Sequence, residues 1–302
     1  MITVFTPTYN RAKFLPRLYE SLCKQTCQDF EWVIVDDGSK DETRNIIASF
    51  HNGNVNANGN NSPSMGGGLF PIRYFYQENG GKHRAINRGV KEAKGELFLI
   101  LDSDDTLPPH SLEIINRYYQ QIKEETSFGG VCGYMAHHDG VIIGHGCDAD
   151  ILDANSIDLR FKYHVQGDML EVFRTSVMRE FPFPEIKGEK FVPEMLVWNR
   201  IAGKYKLRVF HEVVYYRDYI DGGLTDKIVK IRMNSPIASM ITYAEQTRYK
   251  GVPIIAKIKA AINYWRFRFC SDNKKNPQLS WWYYWTMPLG FLMHLRDLKS
   301  VK

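Results

Sequence analysis

Three aspartates follow an apolar run near residue 100, where the chain reads GELFLILDSDDTLPP. Asp102, Asp104 and Asp105 lie within four residues of one another, so their carboxylates repel. Keeping all three ionised at a partly buried strand end costs free energy unless a cation or hydrogen-bond donors offset the charge. Mg²⁺ is one such cation, because it binds one or two carboxylates together with substrate phosphates. The alternative is that these acids, with Ser103 and Thr106, form helix caps and turns.

A second pair of acids, Asp36 and Asp37, follows the apolar run EWVIV. In an open parallel sheet, ligands bind beyond the carboxyl ends of the strands. Acid clusters at the ends of two successive strands therefore favour a functional site at that edge over two unrelated turns.

Strands and helices alternate over the first hundred residues. The runs ITVFT, EWVIV, IRYFYQ and LFLIL predict strands. Between them lie helical patterns, with Leu15, Leu18 and Leu22 on one face of the first and the others over 41–50 and about 82–93. This alternation predicts an α/β fold with a Rossmann-like, mostly parallel central sheet. Strands this apolar need helices on both faces.

The remaining sequence is less regular. Residues 52–68, rich in Asn, Gly and Ser, predict a mobile surface insertion. Beyond residue 105 the chain is mixed and interrupted by glycines, with hints of strands at VCGYMAHH and GVIIGHG. From Lys227 onward the pattern becomes helical and basic.

Composition narrows the class of protein. The chain has 302 residues, 44% of them hydrophobic, enough for a sizeable core in one large or two modest domains. The net charge of +5 is too small to argue for nucleic acid. Five cysteines without a CxxC pair suit free thiols in a reducing compartment. Met1 leads directly into a strand pattern, so we expect no signal peptide and a cytoplasmic location.

Four motifs, in order, resemble those of family 2 glycosyltransferases with the GT-A fold. The first three are TPTYNR at 6–11, VDDGSKDET at 35–43 and ENGGKHRAINRGVKEAKGELFLILDSDD at 78–105. The fourth is the family's Asp-x-Asp motif, at the end of the third stretch. The resemblance implies inverting transfer of a sugar from a nucleotide donor, UDP-linked by expectation, to an acceptor hydroxyl. Such a reaction would serve cell-surface polysaccharide or glycan assembly.

The resemblance also divides the chain into three parts. Residues 1–105 would be the nucleotide-sugar-binding half of the GT-A domain, and residues 106–226 the acceptor-binding and catalytic half. Residues 227–302 would be a helical, basic and aromatic C-terminal extension.

Roles for donor-site residues follow from the same resemblance. Pro7 and Tyr9 would line the base pocket, and Asp37 would accept a hydrogen bond from the imide N–H of uracil, which cytosine lacks. Three cations would lie near the diphosphate: Arg11, Lys82 and Arg84.

The acids after the fourth strand would hold the sugar and the metal. Asp102 and Ser103 would contact the ribose or the donor sugar. Asp104, with Asp105 as a second ligand or a strand-end cap, would bind Mg²⁺ or Mn²⁺. The metal would stabilise charge on the departing nucleoside diphosphate as a Lewis acid.

The acceptor side needs a base, since a sugar hydroxyl is a poor nucleophile at neutral pH. In this family the base opens a helix in the second half of the domain. Here Glu194 opens the helical pattern of GEKFVPEMLVWNRIAGKY, and Glu189 is the alternative. Trp198 would support the acceptor sugar by stacking or would be core, and Asp168 would hold acceptor hydroxyls.

Two departures from the family pattern affect the expected site. The segment YYRDYIDGGLT lacks the His that completes the metal ligands in many members, which leaves Asp221 or water as the third ligand. The QxxRW signature of processive members is absent, which favours transfer of one sugar per encounter.

The last part of the chain interleaves aromatic and basic residues, as in KIKAAINYWRFRF and WWYYWTMPLGFLMHL. This mixture suits either docking at a lipid headgroup interface or a helical segment packed on the catalytic domain. RNA binding is disfavoured. We therefore expect a saccharide or lipid-linked saccharide acceptor, peripheral membrane contact, no nucleic acid, and a place in the cytoplasm or at the inner face of its membrane.

Three other functions compete. In a haloacid-dehalogenase-type phosphohydrolase, Asp102 would be the nucleophile and Asp104 the general acid of an Asp-x-Asp-x-Thr motif ending at Thr106, but the second acidic pair is missing. A sugar nucleotidyltransferase would need a Gly-rich, Arg-bearing opening loop, which this sequence lacks. A non-catalytic module would bind nucleotide without turning it over.

Overall fold

A computed structural model describes residues 1–51, 70–146, 149–217, 227–272 and 276–300. The expectations for the insertion at 52–68 and for Asp221 lie outside the described residues. The chain forms two compact units. The sheet unit comprises Met1–Asn155, Val165–Pro182 and Tyr205–Asp218, and the helical unit comprises Ser156–His164, Phe183–Lys204 and Tyr219–Lys302. The division of the sequence after residues 105 and 226 stays a prediction.

The sheet unit is built on eight strands in the order β3-β2-β1-β4-β7-β5-β8-β6. The strands are β1 Ile2–Thr8, β2 Phe30–Asp36, β3 Ile72–Tyr76, β4 Leu97–Ile100, β5 Phe128–Ala136, β6 Ile151–Ala154, β7 Met169–Arg174 and β8 Lys206–Tyr216. Strands β1 to β4 run parallel, as do β5 and β8. Strand β7 is antiparallel to both β4 and β5, and β6 is antiparallel to β8.

Helices cover both faces of this sheet. They are α1 Leu15–Cys23, α2 Thr43–His51, α3 Lys82–Glu92, α4 Ser111–Gln120 and α6 Thr175–Glu180. Successive strand residues point to opposite faces. Accordingly Val4 packs in the core with Leu15 and Leu112, whereas Phe5 faces Gly89 of α3. The predicted α/β fold class is confirmed.

One predicted strand does not form. VCGYMAHH lies in and just beyond β5, but GVIIGHG makes only isolated bridges, from Ile142 to Ala136 and from His145 to Gln166. Gly140 and Gly144 have φ of +87° and +83°, in the left-handed region, where the backbone turns out of an extended path.

The helical unit contains α5 Ser156–Phe161, α7 Glu194–Ala202, α8 Ile228–Met233, α9 Pro236–Gln246, α10 Ile254–Arg268, the 3₁₀ helix Trp281–Thr286 and α11 Met287–Ser300. Its core includes Met240, Ala261, Tyr264 and Phe267. The C-terminal helices expected from Lys227 onward are therefore present. Among the described residues, no helix combines the length and the apolar character needed to cross a membrane.

Replacing Gly89 by Ala should destabilise the sheet unit. Ala normally stabilises a helix interior by about 1 kcal/mol relative to Gly. Here a Cβ would lie 2.3 Å from the ring of Phe5, which is buried and stacked on Phe98. We expect a net loss of about 1–3 kcal/mol in the free energy of unfolding, measured with urea. Lys91→Ala, at an exposed position of the same helix, is the control; equal stability of the two variants would contradict the packing argument.

Candidate active site

The direction of the strands gathers polar residues at one edge of the sheet. Strands β1, β2 and β4 end there, and Asp37 and Asp102 follow two of them. Because β5 and β8 run in the same direction, His137 and Arg217 follow them at the same edge. Strand β7 is antiparallel, so it begins where the others end, directly after Asp168. Residues from five strands thus meet at the edge predicted from the acid clusters alone.

Asp102 pairs with a cation on the first turn of α3. The Lys82 Nζ lies 2.7 Å from one carboxylate oxygen of Asp102 and 2.9 Å from the other. The backbone N–H of Asp102 donates to the Tyr215 hydroxyl over 3.0 Å. The Asp102 side chain is about a third exposed, so its carboxylate is partly open to solvent.

Asp104 is held by two arginines from the beginning of the chain. A guanidinium nitrogen of Arg11 lies 3.6 Å from Oδ2 of Asp104. Arg17 donates to the main-chain oxygen of Asp104. A quarter of the Asp104 side chain is exposed. Two ionisable acids, each beside a cation, therefore remain partly accessible.

Asp105 has a different environment. It is only 4% exposed, and its Oδ2 accepts a hydrogen bond of 2.7 Å from the Tyr215 hydroxyl. Burial, together with the nearby charges of Asp102 and Asp104, raises the pKa of Asp105 to about 8. The carboxyl group is therefore mostly protonated at neutral pH, and it joins the end of β8 to the end of β4.

Arg217 is the cation at the end of β8. Its Nη1 lies 2.6 Å from Oδ2 of Asp168. Burial lowers the pKa of Arg217, but the charges of Asp168, Asp105 and Asp102 raise it more, so the pKa lies above its ordinary value. The Nδ1 of His137 lies 3.1 Å from the main-chain oxygen of Arg217. Neither Arg217 nor Tyr215 is among the residues predicted from the sequence, although the run YYR at the end of an apolar strand is a visible signal.

Asp37 organises the loop that leads into α3. Its Oδ1 accepts from Gln77 Nε2 at 2.7 Å and from the backbone N–H of Gly80 at 2.9 Å. Its Oδ2 accepts from the N–H of Gly81 at 2.7 Å and from Asn79 Nδ2 at 3.2 Å. Asp37 thereby positions the loop before α3, the helix that begins at Lys82, and its contact with a base stays a prediction.

The other predicted donor-site residues surround this edge. Pro7 is buried in β1, and Tyr9, 46% exposed, lies just beyond that strand. Arg84 donates to the main-chain oxygen of Gly80 over 2.5 Å. Ser103, which lies between Asp102 and Asp104 in the sequence, is buried. The structure brings these residues to one edge, and their contacts with a ligand stay predictions.

The predicted acceptor-side residues Glu194 and Trp198 belong to the helical unit. Glu194 is the first residue of α7, following Pro193, so it does open a helix. The Trp198 ring packs edge-on against Phe183 with centroids 5.8 Å apart.

Glu189, the alternative base, has both oxygens engaged at the start of α9. It is 5% exposed and accepts from the N–H groups of Ile237 at 2.6 Å and Ala238 at 2.8 Å. Burial raises the pKa of Glu189, while these two hydrogen bonds oppose the rise. The geometry is that of a cap on α9, which leaves Glu194 as the stronger candidate.

The residues at the sheet edge suit a hard cation only with help from a substrate. Among the residues that the structure describes, no three His, Cys, Asp or Glu side chains are grouped to hold a metal ion. The partly exposed carboxylates of Asp102 and Asp104 are hard oxygen donors of the kind that bind Mg²⁺ together with phosphates. The donor set therefore fits a divalent metal shared with a diphosphate.

The fold and the site define a GT-A-type α/β protein, with acids and cations at the carboxyl edge of a mostly parallel sheet. Residues 3–135 match the family model described as Glycosyl transferase family 2. Over these residues, which are less than half of the chain, it is similar to glycosyltransferase family 2.

Curated proteins with similar sequences are also glycosyltransferases by name. The chain is similar to glycosyltransferase GlyG of Streptococcus pneumoniae, with 32% identity over 168 residues, covering 55% of this chain and 44% of the relative. It is also similar to a PGL/p-HBAD biosynthesis glycosyltransferase of Mycobacterium bovis, with 39% identity over 107 residues, covering 35% of this chain and 36% of the relative. The chain thus spans less than half the length of these relatives.

Solved structures share the fold. S. aureus TarS in complex with UDP-GlcNAc has a TM-score of 0.60 at 17% identity, covering 99% of this chain and 91% of that one. The mannosyltransferase PcManGT from Pyrobaculum calidifontis, in complex with GDP-Man and Mn²⁺, has a TM-score of 0.54 at 16% identity, covering 99% and 75%. At these identities the likeness concerns the fold alone.

The raised pKa of Asp105 should make stability depend on pH. Between the ordinary pKa of 3.8 and about 8, the folded protein binds a proton that the unfolded chain has released. The free energy of unfolding should therefore fall as pH rises through this interval. Asp105→Asn keeps an acceptor for Tyr215 but cannot titrate, so its profile should be flatter. Urea unfolding from pH 5 to 9 in EDTA measures both profiles, and parallel profiles would refute the assignment.

Proposed function

We propose that the protein is a metal-dependent glycosyltransferase that moves a sugar from a nucleotide donor to an acceptor hydroxyl. The observation that carries this proposal is the pairing of Asp102 with Lys82 and of Asp104 with Arg11 at the carboxyl edge of the sheet. Partly exposed acids and cations in one place can bind a dication and a diphosphate together. The family match over residues 3–135 supports the same class of reaction.

The donor is proposed to be UDP-linked. Tyr9, with its exposed ring beyond β1, and Pro7 would lie against the base, and Asp37 would face the uracil imide. The TarS neighbour carries UDP-GlcNAc and the PcManGT neighbour carries GDP-Man, so donors with both bases belong in the test panel.

Asp104 would hold the metal, with Asp102 and Ser103 toward the donor sugar or ribose. When bound, Mg²⁺ or Mn²⁺ would stabilise negative charge on the departing diphosphate. The negative charge of the diphosphate would also be balanced by three nearby cations, Arg11, Lys82 and Arg84. Asp105 is enclosed and its Oδ2 is occupied by the Tyr215 hydroxyl, so we assign Asp105 to positioning the two strand ends rather than to the metal.

Glu194 would be the base. A carboxylate in the first turn of α7 is stabilised by the helix dipole. The acceptor hydroxyl would give its proton to Glu194 as its oxygen forms a bond with the anomeric carbon. In the same displacement the bond from that carbon to the phosphate oxygen breaks, the nucleoside diphosphate leaves, and the configuration inverts.

The acceptor is proposed to be a saccharide or a lipid-linked saccharide. Asp168, kept in place by Arg217, would hold acceptor hydroxyls, and Trp198 would stack on an acceptor sugar. One sugar would be added per encounter, in cell-surface polysaccharide or glycan assembly. The setting we propose is the cytoplasm, at the inner face of its membrane.

Asp104→Asn should remove metal-dependent donor turnover. The purified chain is incubated with a panel of nucleotide sugars and Mn²⁺, and nucleotide binding and slow donor hydrolysis are measured. We expect hydrolysis of the preferred donor to fall at least about 100-fold, because the amide loses the charge that holds the metal. Glu124→Gln, an exposed acid after α4, is the matched control. Full activity of Asp104→Asn would remove the metal assignment, and release of phosphate from simple esters would favour a phosphohydrolase instead.

Glu194→Gln should separate binding from transfer. Donor affinity should stay within about twofold, while transfer to an acceptor should fall by about 10²- to 10⁴-fold, the usual contribution of a general base. Isothermal titration with donor and single-turnover transfer assays measure the two quantities. An undiminished transfer rate would show that another group is the base, and Glu189→Gln would then be compared at matched folded fraction.

A further inference from the structure

Helix α11 exposes its leucines to the outside of the helical unit and buries two polar residues, His294 and Asp297. Leu289, Leu292, Leu295 and Leu298 are 40–61% exposed, and Leu292 is the most exposed of them. Gly290, His294 and Asp297 form the buried side of the helix. An ordinary surface helix has the opposite arrangement.

Contacts with α10 and the residues just after it fix this orientation. The carboxylate of Asp297 forms a bidentate ion pair with Arg266, with 2.7 Å from Nη2 to Oδ1. The Nδ1 of His294 lies 3.5 Å from the Sγ of Cys270. A Cβ at position 290 would lie 2.4 Å from the Cβ of Trp265, so Gly290 permits the close approach. Rotating α11 to bury its leucines would leave these polar groups without their partners.

The segment before α11 extends the apolar surface. The 3₁₀ helix exposes Trp281 and Trp282, each at 68%, and Trp285 at 60%. These residues and the outward leucines are called the outward face; its members are Trp281, Trp282, Trp285, Leu289, Leu292, Leu295 and Leu298. Many exposed apolar side chains in two successive elements are typical of an interaction site.

The charge in this part of the chain is mostly positive. From 254 to 300 the sequence contains eight Lys and Arg residues but only two acids, Asp272 and Asp297. Asp297 is buried against Arg266, whereas Lys259, Arg296 and Lys299 are exposed. The chain as a whole carries only +5, so its excess positive charge lies here.

We propose that the outward face binds the surface of a lipid bilayer that contains anionic headgroups. Tryptophans concentrate at the headgroup level, and cations beside them attract anionic lipids. Helix α11 has 14 residues, about 21 Å of helix, which is too short for a hydrocarbon core of about 30 Å. The helix would therefore lie in the plane of the interface, with its leucines toward the acyl chains.

A second copy of the chain is the competing occupant. In a symmetric dimer through this face, each protomer presents the same patch to the other. Lys259, Arg296 and Lys299 of the two copies would then face one another or lie close together. Like charges brought together oppose association, whereas an anionic bilayer offers the opposite charge.

Vesicle binding by the full chain tests the proposal. Flotation is measured with phosphatidylcholine vesicles, with and without about 30% phosphatidylglycerol, in the absence of donor and acceptor. The result is therefore independent of the proposed reaction. We expect binding to the anionic vesicles and about fivefold weaker binding for each cation removed from Lys259, Arg296 and Lys299 by substitution with Gln.

Leu289→Glu combined with Leu292→Glu should reduce binding to the anionic vesicles at least about tenfold. The two leucines would bury apolar surface among the acyl chains, and charged Glu side chains would not. Both positions are exposed, so the fold should be retained, which circular dichroism checks. Val141→Glu, at a 59% exposed apolar residue of the sheet unit, is the control and should bind like the parent chain.

Two outcomes would overturn the proposal. The first is equal vesicle binding by the parent chain and the double variant. The second is no vesicle binding by the parent chain; if size-exclusion chromatography then shows an oligomer that the double variant loses, the outward face is a self-association surface.

Discussion

The site depends on one electrostatic constraint, the need to offset several carboxylates at the end of β4. The protein meets it in three ways at three neighbouring positions. Asp102 is neutralised by Lys82, Asp104 lies beside Arg11, and Asp105 is enclosed with Tyr215 and keeps its proton. The same Tyr215 hydroxyl receives the N–H of Asp102, so the end of β8 is joined to the end of β4 by the groups that balance the charge.

The sheet topology explains why distant parts of the sequence serve this constraint. Parallel strands deliver their carboxyl ends to one edge, and the antiparallel β7 delivers its beginning there. Asp168 therefore meets Arg217, although 49 positions separate them. Asp37 acts in the same way on a shorter scale, because four hydrogen bonds to its carboxylate hold the loop before α3, and Lys82 at the start of α3 reaches Asp102.

Local patterns were enough to predict the strands β1 to β4, the helices between them and the edge at which the acids lie. Apolar runs and helical spacing are properties of neighbouring residues. The proton on Asp105 was not predictable, since it depends on burial, and the residue that encloses its carboxyl group, Tyr215, is 110 positions away. The orientation of α11 was not predictable either, because its leucines would ordinarily be assigned to a core. The Arg266–Asp297 ion pair instead keeps the polar side of the helix buried. The strand predicted at GVIIGHG does not form because Gly140 and Gly144 have left-handed backbone conformations.

The pairing of Asp102 and Asp104 with Lys82 and Arg11 has a consequence for how a charged ligand is captured. Each of these carboxylates is already balanced by a cation, so the pairs produce little net electrostatic field in the solvent. When a metal–diphosphate complex enters the site, the carboxylates take the metal and the cations take the diphosphate as new partners. Long-range steering, which accelerates encounter when a cleft carries charge of one sign, should therefore contribute little here. The association rate should accordingly vary only weakly with ionic strength, and selectivity should arise from short-range geometry at contact.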